Sequence, residues 1–420
     1  MASPALLQGP PIEVAVIGAG PSGLAAAIAL KKAGVARVAV LEREQQAGGI
    51  PRHCNHPPYG LREFGRILRG PDYAARIVQR ALQANVEIHV GTTVTDIKLG
   101  GRLAIATADG VCEIAPCRVI YATGARETPR SARLVSGSRV QGIVNTGALQ
   151  SMVHLKNQRP FRHPVIVGTE LVAFSALMTC RSAGIRPVAM IEAAANVTAR
   201  WPSAVYPRMR GVALLKNTRL LEIEGDNSVE AVIIAEPNGS TRRIECDGVI
   251  LTGGFQPEIA LARCGHLDVD PATGGPVVDQ WGRCSDPSFF ATGNILRPVE
   301  TAGKSWAEGQ KTGEWVAQDM LEVLPPRKAS MRIGIRDSRI KYAMPQLICQ
   351  TEVTGGMGEI QMRVTERVSG TLVATTRAGP VWRRALNSRP ERRITVPIDD
   401  IASQAAFELV EFSIEGPQKE

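Results

Sequence analysis

Long apolar runs are missing from this chain. None approaches the roughly twenty residues that span a bilayer, so no integral membrane segment is expected. The opening, Met1 to Pro11, has neither the basic start nor the apolar centre of an export signal. A disulfide framework is missing too. The eight cysteines follow no repeated spacing, which suits reduced thiols and a cytoplasmic setting. A concentrated basic face is also lacking. The formal charge is +9, yet residues 325–420 hold 15 Lys/Arg against 11 Asp/Glu and leave +5 for the rest. A charge so spread reads as a solvated surface, and no nucleic-acid partner is expected. With 44% hydrophobic residues in 420, the chain is globular and long enough for two or three domains.

What is present is a strand–turn–helix unit written twice. Val14-Ala15-Val16-Ile17 leads into Gly18-Ala19-Gly20-Pro21-Ser22-Gly23 and an alanine-rich helix. In such a unit Gly18 permits the tight turn, Gly20 lets the backbone approach a pyrophosphate, and Gly23 lets the helix pack on the sheet. Backbone N–H groups at the helix start, with the dipole behind them, hold the phosphates, and Pro21 fits a first turn that needs no N–H there. A second strand, Arg37 to Leu41, ends in Glu42, 24 residues after Gly18, where a carboxylate accepts hydrogen bonds from a ribose. Arg43 follows it.

The second copy has lost letters. Val165-Ile166-Val167 leads into Gly168-Thr169-Glu170-Leu171-Val172-Ala173, which keeps one glycine of three. Glu170 brings like charge to the phosphate position. The next strand ends at Glu192, again 24 residues after the first glycine, an acid that suits the ribose of NAD rather than a 2′-phosphate. A working NAD(H) site and a non-working one both fit these residues.

Taken together, these motifs resemble the two-dinucleotide-fold flavoproteins, the pyridine nucleotide–disulfide oxidoreductase superfamily, over about residues 12 to 322. Val119-Ile120-Tyr121-Ala122-Thr123-Gly124 and Asp247 to Gly254 resemble the glycine motifs that close each nucleotide domain. Phe289-Phe290-Ala291-Thr292-Gly293-Asn294 resembles the segment that returns to FAD, with Asn294 where the family usually has aspartate. The resemblance implies an α/β fold with two Rossmann-like FAD/NAD(P)-binding domains, each with a β-meander crossover, and a small C-terminal all-β domain. It implies a discontinuous FAD domain (residues 10–128 and 280–324), an NAD(P)-like domain (129–279) and the β module (325–420), after a hinge at Leu324 to Lys328. FAD is the implied cofactor, with NAD(H) a candidate second. Gly18, Gly20, Pro21, Ser22, Gly23, Glu42, Arg43, Gly49, Ala122, Thr123, Gly124, Gly293 and Asn294 are its implied holders, Glu300 and Thr301 its flavin-edge residues, and Gly168 and Glu192 the NAD-side pair.

The redox disulfide of the superfamily is absent from its expected places. After Gly48-Gly49 the loop reads Ile50-Pro51-Arg52-His53-Cys54-Asn55-His56 with one cysteine. Cys112 and Cys117 read as core or strand residues. Cys54 is either a lone redox cysteine with its pKa lowered by Arg52 and His53, or part of a loop lining the flavin pocket. His53 and His56 are candidate proton acceptors for hydride transfer. Without a fourth ligand, His53, Cys54 and His56 do not make a metal site. The loop and Arg297 to Gly309 resemble the subgroup of opine, hydroxyproline and glycerol-3-phosphate dehydrogenase flavoprotein subunits. The implied activity is an FAD-dependent oxidoreductase passing hydride through flavin N5, either NADH-linked or electron-donating to a partner subunit. The alternatives are a flavoprotein subunit of an amine, amino-acid or polyol dehydrogenase complex, and a non-catalytic flavin scaffold. The implied partners are a small-molecule substrate and a second flavoprotein or iron–sulfur subunit. Strands at Ile360–Val364, Leu372–Thr376, around Val381, Ile394–Ile398 and Phe407–Ile414 are expected in the module, which reads as a surface for a partner or a homodimer.

Overall fold

The computed structural model describes residues 9–199, 203–297, 299–327, 330–349, 355–402 and 409–416. Residues 1–8 of the opening, Lys328 of the expected hinge and Phe407 of the last expected strand lie outside them. The strands that build the two parallel sheets are β1 (Val14–Ile17), β2 (Val38–Leu41), β3 (Glu87–His89), β4 (Arg118–Tyr121), β5 (Ile143–Asn145), β6 (Pro164–Val167), β7 (Ala189–Ile191), β8 (Ala213–Leu215), β9 (Gly248–Leu251) and β10 (Phe289–Ala291). The helices that bear on the site are α1 (Pro21–Lys32), α2 (Leu61–Phe64), α3 (Thr146–Gln150), α4 (Leu171–Ser182) and α5 (Ala302–Met320).

The chain forms two compact units. The first takes the chain up to Gly49, then Ala74–Ala125 and everything from Pro257 onward, and the second takes Ile50–Tyr73 and Arg126–Gln256. This differs from the expected division in three ways. The loop after Gly49 belongs to the second unit, the chain returns to the first at Pro257 rather than residue 280, and the β module packs as part of the first unit. The last difference has a visible cause. Gln280 Nε2 donates to the Cys349 carbonyl at 2.9 Å, Cys349 N donates to Gln280 Oε1 at 2.8 Å, and Arg283 donates to the Pro325 carbonyl. Buried polar groups satisfied across the seam bind the module to what precedes it.

In the first unit the sheet order is β3-β2-β1-β4-β10, all parallel. β1 and β2 are buried along their whole length, with α1 on one side and Val94, Leu103 and Ile105 of three antiparallel strands packed against Ala15, Ile17, Ala39 and Leu41 on the other. Each buried Val or Leu there contributes roughly 1.5–3 kcal/mol. α1 is nearly all buried, and its small side chains let α5 lie directly on it. A Cβ on Gly309 would stand 2.1 Å from the Ser22 carbonyl, and one on Gly313 would stand 2.4 Å from that of Ala26. Strands Thr93–Ile97, Leu103–Thr107 and Gly110–Ile114 form the expected antiparallel meander, turning at Gly100-Gly101 and Gly110. Cys112 lies in that meander, whereas Cys117 is exposed rather than in the core.

The second unit repeats the plan. Its sheet runs β8-β7-β6-β9-β5, and strands Arg219–Glu224, Ala231–Ala235 and Thr241–Glu245 form its meander. In both sheets the outer strand beside the closing glycine motif comes from outside the repeat, β10 in one and β5 in the other.

The module holds a five-stranded sheet in the order Leu347–Cys349, Ser330–Ile335, Leu409–Glu415, Val368–Thr376, Gly379–Ser388, and a three-stranded one of Ile340–Met344, Glu359–Val364 and Ile394–Pro397. Their shared core includes Met331, Ile360, Met362, Val364, Leu372, Val410 and Phe412. The three strands before Cys349 were not expected. Ile398 opens a one-turn helix, Ile398–Ala402, instead of ending a strand, because Asp399 and Asp400 suit a first helical turn.

Candidate functional site

The first cradle gathers its expected residues around the start of α1. Gly18 has φ of +105°, and a Cβ there would lie 2.7 Å from the Ala122 carbonyl, so the turn rests on the Ala122-Thr123-Gly124 motif. A Cβ on Gly23 would lie 2.0 Å from the Gly18 carbonyl. A Cβ on Gly49 would lie 2.8 Å from Gly20 Cα, and one on Gly293 would lie 2.5 Å from Ser22 Oγ. Gly20 is different: nothing lies within 4 Å of where its Cβ would stand. The backbone is therefore open on that side, as approach of a pyrophosphate requires. Pro21 takes the first helical position. Glu42 is buried at the end of β2, accepting from Ala19 N at 2.9 Å and Glu44 N at 3.0 Å, while Arg43 is exposed. Close by, the buried hydroxyls of Thr292 and Ser305 have no hydrogen-bond partner among the described residues. An open glycine backbone, an acid at the next strand end and orphaned hydroxyls fit the FAD that the fold implies.

Thr123 Oγ1 donates to the Glu258 carbonyl at 2.8 Å and fixes the second turn of the cradle. Asn294 has a role the sequence did not reveal. Its Oδ1 accepts from Glu300 N at 2.7 Å and its Nδ2 donates to the Glu300 carbonyl at 3.2 Å. An aspartate could accept there but not donate, so the amide accounts for this residue type. The Glu300 carboxylate is buried and turned toward the β module, where Arg363 (3.1 Å) and Arg393 pair with it. Arg363 also donates to the Val299 carbonyl. Thr301 is exposed and stands immediately before α5.

The second cradle carries its own anions. Gly168 has φ of +110°, but Glu170 replaces the middle glycine and Ala173 the third. The Glu170 carboxylate lies against the closing motif: a Cβ on Gly253 would stand 2.4 Å from its Oε1, and Thr252 Oγ1 donates to its Oε2 at 3.1 Å. Glu127, buried, accepts from Gly147 N at 2.7 Å and Gly253 N at 3.1 Å. Burial holds its pKa up, against the pull of the Gly147 N–H and the Thr146 hydroxyl. Arg133 neutralises part of this charge while donating to the carbonyls of Thr128, Thr252 and Gly253. Glu192 occupies the position expected for a ribose acid, but the Thr169 hydroxyl donates to it, with Ala194 N at 2.9 Å.

The loop expected to line the flavin pocket is built onto α3 and α4 of the second unit. Cys54 Sγ donates to Gln150 Oε1 at 3.3 Å, and Gln150 Nε2 donates to Ser175 Oγ at 2.6 Å. Ser175 Oγ lies 2.9 Å from His56 Nε2, and His56 Nδ1 lies 3.0 Å from the Pro57 carbonyl. A carbonyl only accepts, so neutral His56 carries its proton on Nδ1 and its Nε2 accepts from Ser175. Cys54, Gln150, Ser175 and His56 thus form a directed hydrogen-bond chain. The expected lowering of the Cys54 pKa is corrected. Burial pushes the thiol up to about 11, opposed by a hydrogen bond from Tyr59 and reinforced by Glu127. His53 is half-buried and closes a one-turn helix, Ile50–His53. Burial, with His56 as a minor cause, lowers the pKa of His154. Gln150, Glu127, Arg363 and Arg393 gave no sequence signal. Ser175 did, as a polar residue within the apolar face of α4.

A glycine cradle fitted to FAD, a second dinucleotide fold and a shared β-meander plan define a flavoprotein oxidoreductase. The chain belongs to the pyridine nucleotide-disulphide oxidoreductase family, whose profile matches residues 12–313, and it is an FAD-dependent oxidoreductase of that family. It is 29% identical over 372 residues to the ferredoxin–NAD(+) reductase component of the biphenyl dioxygenase system of Paraburkholderia xenovorans (strain LB400), covering 83% of each chain. It is 24% identical over 314 residues to the A chain of the opine oxidase of Agrobacterium tumefaciens (strain Ach5), covering 67% of this chain and 61% of that one. To the alpha chain of the sarcosine oxidase of Corynebacterium sp. (strain P-1) it is 28% identical over 275 residues, 59% of this chain but 27% of that one. Thioredoxin reductase of T. acidophilum shares the fold at a TM-score of 0.62 and 23% identity, over 74% of this chain and 98% of that one. Among the described residues, no helix is long and apolar enough to cross a membrane.

Proposed function

We propose that this chain is the FAD-bearing component of a multicomponent redox system, oxidising an organic amine, amino-acid or polyol substrate and passing the electrons to a partner redox protein. The observation that carries this reading is the asymmetry of the cradles. One is open at Gly20, and the other holds the Glu170 carboxylate against Gly253, where a dinucleotide phosphate would meet like charge at close range. The names of the relatives, each one part of a larger system, support the partner.

Bound FAD supplies the hydride chemistry that no side chain can perform. The protein's part is to hold it: Gly18, Gly20 and Ser22 at the pyrophosphate with Gly23 keeping the helix close behind them, Glu42 at a ribose, and Gly293, Asn294 and Thr301 beyond. His56 is the proposed proton acceptor, since its Nε2 lone pair faces a hydroxyl rather than a fixed donor such as an N–H. Cys54 is proposed to position that chain through Gln150, not to cycle as a thiolate.

A second reading is an NADH-linked ferredoxin reductase component, favoured by the matched length of the Paraburkholderia relative. Anaerobic titration separates the two. The first expects an unchanged flavin spectrum with millimolar NADH and bleaching by one class among amines, amino acids and polyols. Stoichiometric bleaching by NADH overturns it in favour of the second.

A further inference from the structure

The segment Gly60–Gly70 is a rigid knob that displays a surface costly to leave in water. α2 is a single turn held between two left-handed glycines, Gly60 (φ +76°) and Gly65 (φ +61°). Tyr59 and Leu68 exchange both backbone hydrogen bonds, at 3.0 and 2.8 Å, and close the segment into a ring. Inside it, Tyr73 packs edge-on against Phe64 with centroids 6.0 Å apart and lies 5.6 Å from the Tyr59 ring. The Tyr73 hydroxyl donates to Glu63 at 3.1 Å, which takes up the knob's one carboxylate.

With aromatics and carboxylate turned inward, the outside is apolar and basic. Leu61 is 61% exposed and Ile67 66% exposed. Arg62, Arg66 and Arg69 are exposed, and none has an ion-pair partner among the described residues. Single exposed leucines are ordinary, but two large aliphatics ringed by three guanidiniums on a frame rigid enough to hold them match the centre and rim of a protein interface. Arginine is the basic residue enriched at such interfaces.

Building on the proposed transfer of electrons to a partner, we propose that this knob is the docking site for an acidic redox protein, with Leu61 and Ile67 buried at the centre and Arg62, Arg66 and Arg69 paired to carboxylates at the rim. A second copy of this chain does not suit the site, because it brings a net charge of +9 to a basic surface. A nucleic acid does not suit it either: single strands bind through exposed stacking rings, which the knob turns inward, and a duplex backbone offers nothing to bury Leu61 and Ile67.

The test uses the full-length holoprotein and an acidic [2Fe–2S] ferredoxin as the probe, with binding read by calorimetry. Basic cytochrome c and phosphatidylglycerol vesicles serve as comparison ligands. The ferredoxin binds at low salt and weakens about tenfold or more as ionic strength rises from about 0.05 to 0.5 M. Replacing Arg62, Arg66 and Arg69 by serine weakens binding about tenfold or more and flattens the salt dependence. Leu61→Ser with Ile67→Ser weakens it about fivefold or more and leaves the salt dependence in place. Both variants keep the flavin spectrum, since neither touches the ring of Tyr59, Phe64 and Tyr73. Equal binding by wild type and variants, absence of ferredoxin binding, or preference for vesicles or cytochrome c overturns the proposal. Reduction of bound ferredoxin by holoprotein whose flavin has been photoreduced is scored separately. Undiminished reduction by the variants sinks the knob alone, whereas tight binding without any electron transfer sinks the functional reading alone.

Discussion

Gly20 and Gly23 stand three residues apart and fail differently when given a side chain. Gly20 has an ordinary φ of −79° and open space beyond it, so Gly20→Ala leaves apoprotein stability within about 0.5 kcal/mol. The methyl group instead occupies the pyrophosphate's approach, and FAD affinity falls about tenfold, an effect of about 1.4 kcal/mol, measurable by flavin fluorescence on reconstitution. Gly23→Ala drives a methyl into the Gly18 carbonyl, and about 1–3 kcal/mol is lost from the apoprotein as well, visible in denaturant melts without cofactor. Cys54 gives a pH prediction. Its folded pKa of about 11 lies above the ordinary thiol value of 9.0, so the native state holds the proton where the unfolded chain has released it. Stability is therefore fully present below pH 9 and falls as pH rises toward 11, by up to about 1.4 kcal/mol per unit. Cys54→Ser should lessen the alkaline loss without abolishing it, since burial also pushes up the thiols of Cys180, Cys246 and Cys349, and native Cys54 should alkylate slowly at neutral pH. Fast alkylation of Cys54 itself by iodoacetamide at pH 7, read by peptide mapping apart from the exposed Cys117 and Cys264, would contradict the burial described for it. These residues also mark how far sequence carries. The places of Gly18, Gly20, Gly23 and Glu42 were readable because a strand, glycine turn and helix of this kind call for those types at those spacings. Asn294 and Cys54 were not, because their partners, Glu300 and Gln150, are brought to them only by folding.

At the scale of elements, α1 and α5 form a close seam lined by glycine. Gly309 and Gly313 sit one turn apart on α5, and the contact atoms opposite them are backbone carbonyls of α1, which cannot yield as a flexible side chain would. Gly313→Val should cost about 3 kcal/mol or more, tilt the N-terminal end of α1, and lower flavin content together with the thermal midpoint. A variant that melts early yet keeps full flavin would show that the cradle does not depend on the seam. The strands β1, β2, β4, β6, β7, β9 and β10 were legible because they are apolar runs ending at a glycine motif or an acid, whereas the short β5 and β8 gave no such signal. The module was only partly legible. Ile360, Met362 and Val364 alternate cleanly, and Met331, Ile333 and Ile335 do so too, but Gly334 weakens the latter run and its parallel partner, Leu409–Glu415, lies some eighty residues away.

For the molecule as a whole, the β module is tied to the nucleotide fold by buried charge. Glu300 sits between Arg363 and Arg393, and breaking such a pair from one side leaves a charge without compensation. Glu300→Gln should destabilise by about 3 kcal/mol. Because Asn294 grips the backbone of residue 300 rather than its side chain, flavin affinity should fall less than stability does. Equilibrium unfolding compared with reconstitution titration separates the two effects. A consequence concerns the order in which this polypeptide is born. β10, the fifth strand of the sheet that begins at Val14, leaves the ribosome only after some 270 intervening residues, and α5, which lies against α1, comes later still. A nascent chain halted between Gly124 and β10 carries the glycine turn, Glu42 and the Ala122–Gly124 motif, but it lacks that fifth strand, Gly293, Asn294 and α5, and it cannot yet keep its ligand. Coenzyme capture is then among the last events of synthesis, and prematurely ended products should emerge empty.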